Sequence, residues 1–137
     1  MKKRMTMPAL LAAALLAVTG CSTSVMTMQP PVPGQTSTTG RTVVMNLKAE
    51  NRGLYLFNCI PLISGNPWRP NREDYYVFQD RLEEKYMDAM LRCRAERLKA
   101  DDVEDMKIEE HSTGFFSLWT VWRRSMTATA VAVEKKK

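Results

Sequence analysis

The chain opens Met-Lys-Lys-Arg and then runs from Met7 to Val18 as Met-Pro-Ala-Leu-Leu-Ala-Ala-Ala-Leu-Leu-Ala-Val. This stretch constrains the fold more than any other, because it decides how much of the chain is left to fold. A helix that crosses a bilayer needs about 20 apolar residues. The run is shorter than that and follows a basic cluster, the proportions of the signal segment of an exported protein. A buried core helix of the same length is the alternative, and both the basic flank and the polar stretch downstream argue against it. Residues 1–20 therefore stand apart from the fold, and what remains suffices for one small domain.

The residues that close the run are more specific. Val18-Thr19-Gly20-Cys21 resembles the lipobox of bacterial lipoproteins: an aliphatic residue, two small ones, then cysteine. Leu usually stands where this chain has Val18. The resemblance implies a diacylglyceryl group on the Cys21 thiol, cleavage between Gly20 and Cys21, and acylation of the new amine. Two or three acyl chains anchor stably where one binds only marginally. The position after the cysteine is Ser22, not the Asp that marks inner-membrane retention in Gram-negative lipoproteins. The expected location is thus the inner leaflet of the outer membrane, facing the periplasm.

Residues 21–41 read as the lipidated cysteine and a tether. Ser22 to Arg41 is rich in Ser, Thr, Pro and Gly without apolar periodicity, a composition that offsets little of the entropy of ordering. The domain is expected over 42–134, followed by a basic tail at 135–137. Val43, Met45, Leu47 and Ala49 alternate with polar neighbours as in a half-buried strand. Asn51-Arg52-Gly53 reads as a turn, and Leu54 to Ile63 as a second strand with Pro61 at its edge or end. Ser64 to Pro70 is a loop. Asn71 is placed to cap a helix whose apolar face is Tyr75, Phe78, Leu82, Tyr86, Ala89 and Cys93. Val103, Met106 and Ile108 mark a short charged strand, Ser112 to Gly114 a turn, and Ser117 to Val133 a strand rich in Trp, Val, Thr and Ala. The expected class is α+β in the order ββαββ: a four-stranded, mostly antiparallel sheet with one long helix on one face.

Charge excludes one function class. Of 20 Lys and Arg residues, six lie in Lys2, Lys3, Arg4 and Lys135 to Lys137, which leaves 14 basic against 15 acidic. A nucleic-acid-binding domain carries its excess on the fold itself, so no nucleic-acid partner is expected. Catalysis needs convergent reactive groups. The single histidine, His111, has strand neighbours that point to opposite faces, and one histidine with three cysteines, one of them lipidated, does not make a zinc site. No catalytic residue, metal or cofactor is expected.

Two features remain as candidate sites. Cys59 and Cys93 are an even pair in an exported chain, where disulfides persist. They either meet across the helix–sheet interface or stay as two buried thiols. Trp119 and Trp122, with Arg123 and Arg124, form an aromatic–basic stretch, and an odd separation sends the two indoles to opposite faces of an unbroken strand. An exposed Trp beside Arg is a common interface anchor and also suits lipid headgroups. With Trp68 in the Asn66 to Arg69 loop, these residues make the expected binding surface. The stretch from Leu56 to Asn66 resembles small bacterial envelope lipoproteins to which no activity is assigned. The resulting expectation is a non-enzymatic envelope lipoprotein, held to the membrane by its lipid and binding another envelope component, with a protein as the expected partner. The alternative is an immunity or inhibitor lipoprotein that neutralises an incoming toxin or hydrolase.

Overall fold

The structure, a computed structural model, describes residues 24–115 and 120–134. The expected signal segment, Cys21, Trp119 and the basic tail lie outside them. The element order is β1 (Ser24–Gln29), β2 (Val43–Leu56), β3 (Ile60–Gly65), β4 (Tyr75–Val77), α1 (Glu84–Arg97), β5 (Asp102–Phe115) and β6 (Val121–Val133). The class is α+β, with one helix among the described residues on a six-stranded sheet ordered β4-β3-β2-β6-β5. Every strand pairing is antiparallel. The four strands expected become six, because two segments assigned otherwise are strands.

The first is β1. Ser24–Gln29 belongs to the stretch expected as a flexible tether, yet it pairs with Asn46 to Asn51 of β2 and buries Met26 in the core. Its alternation of Val and Met among Ser and Thr is a short strand pattern, which the Pro-rich residues after it mask. On the same edge of β2, residues 53–56 pair with β3, so β1 and β3 share one long neighbour end to end. The Pro-rich segment that follows is a loop closed by a Thr36–Thr42 bridge.

The second is β4, which lies inside the stretch expected as helix. Three consecutive β-branched or aromatic residues, Tyr75 to Val77, favour the extended state, and Asn71 and Phe78 hold positive φ of 64° and 54°, outside helical geometry. The helix therefore starts at Glu84 rather than after Asn71. Its 14 residues span about 21 Å, which fits the sheet, whereas the expected length overhangs it. Lys99, at φ 57°, and the Ala100 amide donating to the Ala95 carbonyl at 3.0 Å end the helix in the left-handed manner common at C-termini.

The turn expected at Asn51 to Gly53 is continuous strand. The chain reverses instead at Phe57 and Asn58, both with positive φ, and the Cys59 amide closes the turn on the Leu56 carbonyl at 3.2 Å. Gly53 has a different role. A Cβ there meets the Ile63 carbonyl oxygen at 2.9 Å and Leu82 at 3.1 Å, so glycine serves close approach, a usual reason for it in a strand. Pro61 sits beside the irregularity in the β2–β3 register, as its missing amide requires. The turn expected at Ser112 to Gly114 is also strand, since β5 continues to Phe115.

α1 packs its Met87, Met90, Leu91 and Ala95 on Leu47 and Ala49 of β2 and on Met126, Ala128, Ala130 and Ala132 of β6. Alanine rows on the sheet leave room for long Met and Leu side chains on the helix, the large-on-small complementarity that fills a core. The opposite sheet face carries polar residues, among them Lys48 and Thr129, both exposed.

A candidate ligand cleft lined by arginines

The loop from β3 to β4 is held in one shape by its own side chains and prolines. The Asn66 side chain is buried; its amide donates to Asp74 at 3.0 Å and its oxygen accepts the Trp68 amide at 2.9 Å. Pro67 and Pro70 fix φ on either side of Trp68 and Arg69. Asn71 then fastens the loop to β1: its Oδ1 accepts the Met26 amide and its Nδ2 donates to the Met26 carbonyl, both at 2.9 Å. A side-chain amide thus completes a strand edge, and its positive φ is one that Asn tolerates. The Asn71 amide also donates to the Ser24 carbonyl at 2.7 Å, and Ser24 bridges to Arg72.

Between this loop and the C-terminal half of α1 lies an open cleft of about 410 Å³. Trp68, Arg69 and Arg72 line it from the loop, and Cys93, Arg94 and Arg97 from the helix, over a floor that includes Met26 and Met90. Four arginines and no carboxylate line it. Arg69 reaches Asp74 only at 3.8 Å, and Arg94 donates to the Met28 sulfur at 3.0 Å, a weak, neutral acceptor. Neither Arg72 nor Arg97 has an ion-pair partner among the described residues. Arg94 and Arg97 also suit the negative end of the helix dipole, but that accounts for neither loop arginine. Trp68 is 52% exposed and rests edge-on against Tyr86, with ring centroids 6.5 Å apart.

Cys93 lines this cleft as well, whereas Trp122, Arg123, Arg124 and Cys59 do not. Trp122 is half-buried on β6 in register with Tyr55 and Gly114. Trp119 lies outside the described residues. Arg123 is exposed, while Arg124 turns to the other face, stacks over the Tyr55 ring at 4.7 Å and pairs with Glu110. Arg124 is therefore engaged in the fold rather than presented as a contact. Among the described residues of the expected surface, only Trp68 sits in the cleft, and the four arginines around it come from two segments that sequence reading kept apart. The signal for them was present in Arg69, Arg72, Arg94 and Arg97, but pairing the segments requires knowing that the helix begins at Glu84.

The two cysteines are neither bonded nor buried: Cys59 and Cys93 are free thiols and both are exposed. Cys59 stands in the β2–β3 turn, outside the strand assigned to it. With the helix starting later, the buried stripe is Met87, Met90, Leu91 and Ala95, which rotates Cys93 off the core and into the cleft.

A second polar cluster sits under the segment joining β4 to α1. The Tyr55 hydroxyl donates to Asp80 at 2.6 Å, Ser64 to the Gln79 carbonyl at 2.8 Å, and Asn51 to the Arg81 carbonyl at 2.8 Å. Burial and the Asp80 carboxylate hold the Tyr55 hydroxyl protonated far above the usual tyrosine range. These contacts fasten the segment to the sheet and pair the Tyr55 and Ser64 hydroxyls and the Asn51 Nδ2, a structural task, while Asn51 Oδ1 is left without a partner. His111 is exposed on β5. Among the described residues, no three His, Cys, Asp or Glu side chains converge as metal ligands do, and no helix is long and apolar enough to cross a membrane.

No family model, curated protein or solved structure matches this chain.

Proposed function

We propose that this chain is a lipid-anchored, non-enzymatic lipoprotein of the bacterial envelope, facing the periplasm from the inner leaflet of the outer membrane, whose small domain binds another envelope component through the Trp68 cleft. The anchor reading rests on Val18-Thr19-Gly20-Cys21 and the basic and apolar residues before it. The binding reading is carried by one observation: an exposed indole and four arginines line one open cleft between the β3–β4 loop and α1. Exposed Trp and Arg are the side chains that most often dominate binding energy. They offer stacking area and bidentate donors, and no histidine or carboxylate lines the cleft beside the Cys93 thiol, so the cleft is suited to holding an anionic group.

The anchor is tested by Cys21→Ala in the full chain. The variant is expected to accumulate as uncleaved precursor and to incorporate no radiolabelled palmitate, whereas the natural chain is cleaved and labelled. Normal cleavage and labelling of the variant removes the reading.

A further inference from the structure

We infer that the arginine cleft is a headgroup site for anionic phospholipid, and that the domain lies against the bilayer rather than hanging from it on a tether. The inference rests on the proposed lipid anchor for its geometry and goes beyond it in naming what the domain touches.

With residues 22–41 as a free tether, the domain is at liberty to wander far from its lipid. The structure places residue 24 already in the sheet, as the first residue of β1. Three residues of chain reach at most about 10 Å, so an acylated Cys21 holds Ser24 within that distance of the membrane surface. Ser24 is not at a random point of the domain. It bridges Arg72 and accepts the Asn71 amide, at the wall of the arginine cleft. The constraint that holds Ser24 near the bilayer therefore holds the cleft there too. Headgroup regions account for roughly 5–8 Å of bilayer thickness on each side of the hydrocarbon, the same scale as the available chain.

The cleft's chemistry agrees with that position. Guanidinium groups match phosphate oxygens bidentately, and Arg72 and Arg97 have no carboxylate partner to displace. An amphipathic indole is favoured at headgroup depth, where Trp68 stands half-exposed. Basic side chains near an anionic surface strengthen association roughly fivefold each. Acyl chains supply the anchor, and the cleft supplies orientation.

The two free cysteines provide the test, because Cys93 lines the cleft and Cys59 lies in the β2–β3 turn outside it. The purified natural chain is placed in vesicles of phosphatidylcholine alone or of phosphatidylcholine with phosphatidylglycerol, and alkylation of each thiol by uncharged N-ethylmaleimide is followed by peptide mass spectrometry. Phosphatidylglycerol is expected to slow Cys93 several-fold and leave Cys59 unchanged. Arg72→Gln with Arg97→Gln, which breaks no ion pair, is expected to abolish that protection, with an unchanged Cys59 rate reporting an intact fold. Equal Cys93 rates in the two vesicle types overturn the inference. So does protection that survives the double substitution, which is shielding by the bilayer alone. So does equal protection by inorganic phosphate in neutral detergent, which assigns the cleft to a soluble anion. So does photo-crosslinking from position 68 in intact cells that yields a protein adduct and no lipid adduct. The mass of the Cys21 peptide from the same sample reports acylation separately. An unmodified Cys21 removes the anchor reading, while the Cys93 comparison still reads the cleft.

Discussion

One face of the sheet is covered in two different ways along its length. At one end α1 lies on alanines: Ala49, Ala128 and Ala132 have no exposed surface, and Met87 and Leu91 above them have none either. At the other end the helix has run out, and extended chain from Gln79 to Leu82 crosses the same face, fastened by Tyr55, Ser64 and Asn51. A helix satisfies its own backbone, so apolar contact is enough beneath it. Extended chain laid on a sheet brings unpaired carbonyls with it, and the surface below must then supply donors. Apolar residues cover one half of β2 and buried polar ones the other because the covering elements differ, although the strand is a single run from Val43 to Leu56.

The apolar end should be the more sensitive. Leu91→Ala removes a fully buried side chain over a row of alanines that cannot move up to fill the space. A loss of about 2–5 kcal/mol is expected, read by denaturant unfolding; a loss of under about 1 kcal/mol contradicts a close-packed helix–sheet interface. At the other end, Gly53→Ala puts a methyl group 2.9 Å from the Ile63 carbonyl and 3.1 Å from Leu82 and the Tyr55 ring. The carbonyl is backbone and cannot rotate away, so a cost of about 1–3 kcal/mol is expected. An unchanged midpoint shows that the Gln79 to Leu82 segment rides higher than described.

Tyr55→Phe makes the sharper cut, since it keeps the ring under Arg124 and deletes only the hydroxyl. The bond to Asp80 is worth about 1–2 kcal/mol. The substitution also carries a pH signature. The folded Tyr55 holds its proton to a higher pH than the unfolded residue, which titrates near 10. Its contribution is therefore fully present below about pH 10 and declines as pH rises beyond it. Alkaline unfolding of the natural chain should be steeper than that of Tyr55→Phe, and parallel curves overturn this account of the polar end.

This division explains what sequence reading recovers. The alternation at Val43, Met45, Leu47 and Ala49 and the run from Met126 to Val133 belong to the apolar half, where period two reports burial directly. In the polar half the same cue misleads. Gly53 looks like a turn because its neighbours are Asn51 and Arg52, yet Asn51 is buried and donates to the Arg81 carbonyl. Tyr75, Phe78 and Leu82 have helical spacing but lie outside the helix: Tyr75 pairs with β3, Phe78 has a positive φ, and Ser64 and Tyr55, distant in sequence, fasten the residues between Phe78 and Leu82 to the sheet. The error then propagates into the site. Moving the helix start from Asn71 to Glu84 carries Cys93 off the core and brings Arg94 and Arg97 opposite Arg69 and Arg72. Trp68 was legible as a loop aromatic, whereas the arginines around it depend on tertiary pairing that local spacing does not encode.

A fastening of the same kind made in water sets the lower bound of the comparison. The loop after β1 is held to β5 at its irregular point, where Asp105 has φ 53°. Its carboxylate accepts the Thr38 amide at 2.9 Å, Thr39 donates to Glu104, and Arg41 pairs with Glu104 at 3.2 Å. Hydrogen bonds from Ser37 and Thr39 hold the Glu104 carboxyl below its ordinary range, and those from Thr38 do the same for Asp105. A carboxylate with a lowered folded value contributes above its unfolded value and loses that contribution as pH falls through the folded one. The loop should therefore be fully fastened at neutral pH and loosen in acid, below the ordinary carboxylate range. Asp105 faces solvent, where such contacts contribute little and salt screens them. Protection of the Thr38 amide against hydrogen exchange, corrected for the intrinsic pH dependence, should fall in acid while that of Leu82, a buried residue over the polar cluster whose amide donates to Asp80 at 2.9 Å, holds. Asp105→Asn should reduce Thr38 protection at neutral pH and make it insensitive to acid. If Thr38 and Leu82 instead lose protection together, the loop and the buried cluster open as one unit, and exposed and buried fastenings do not differ here.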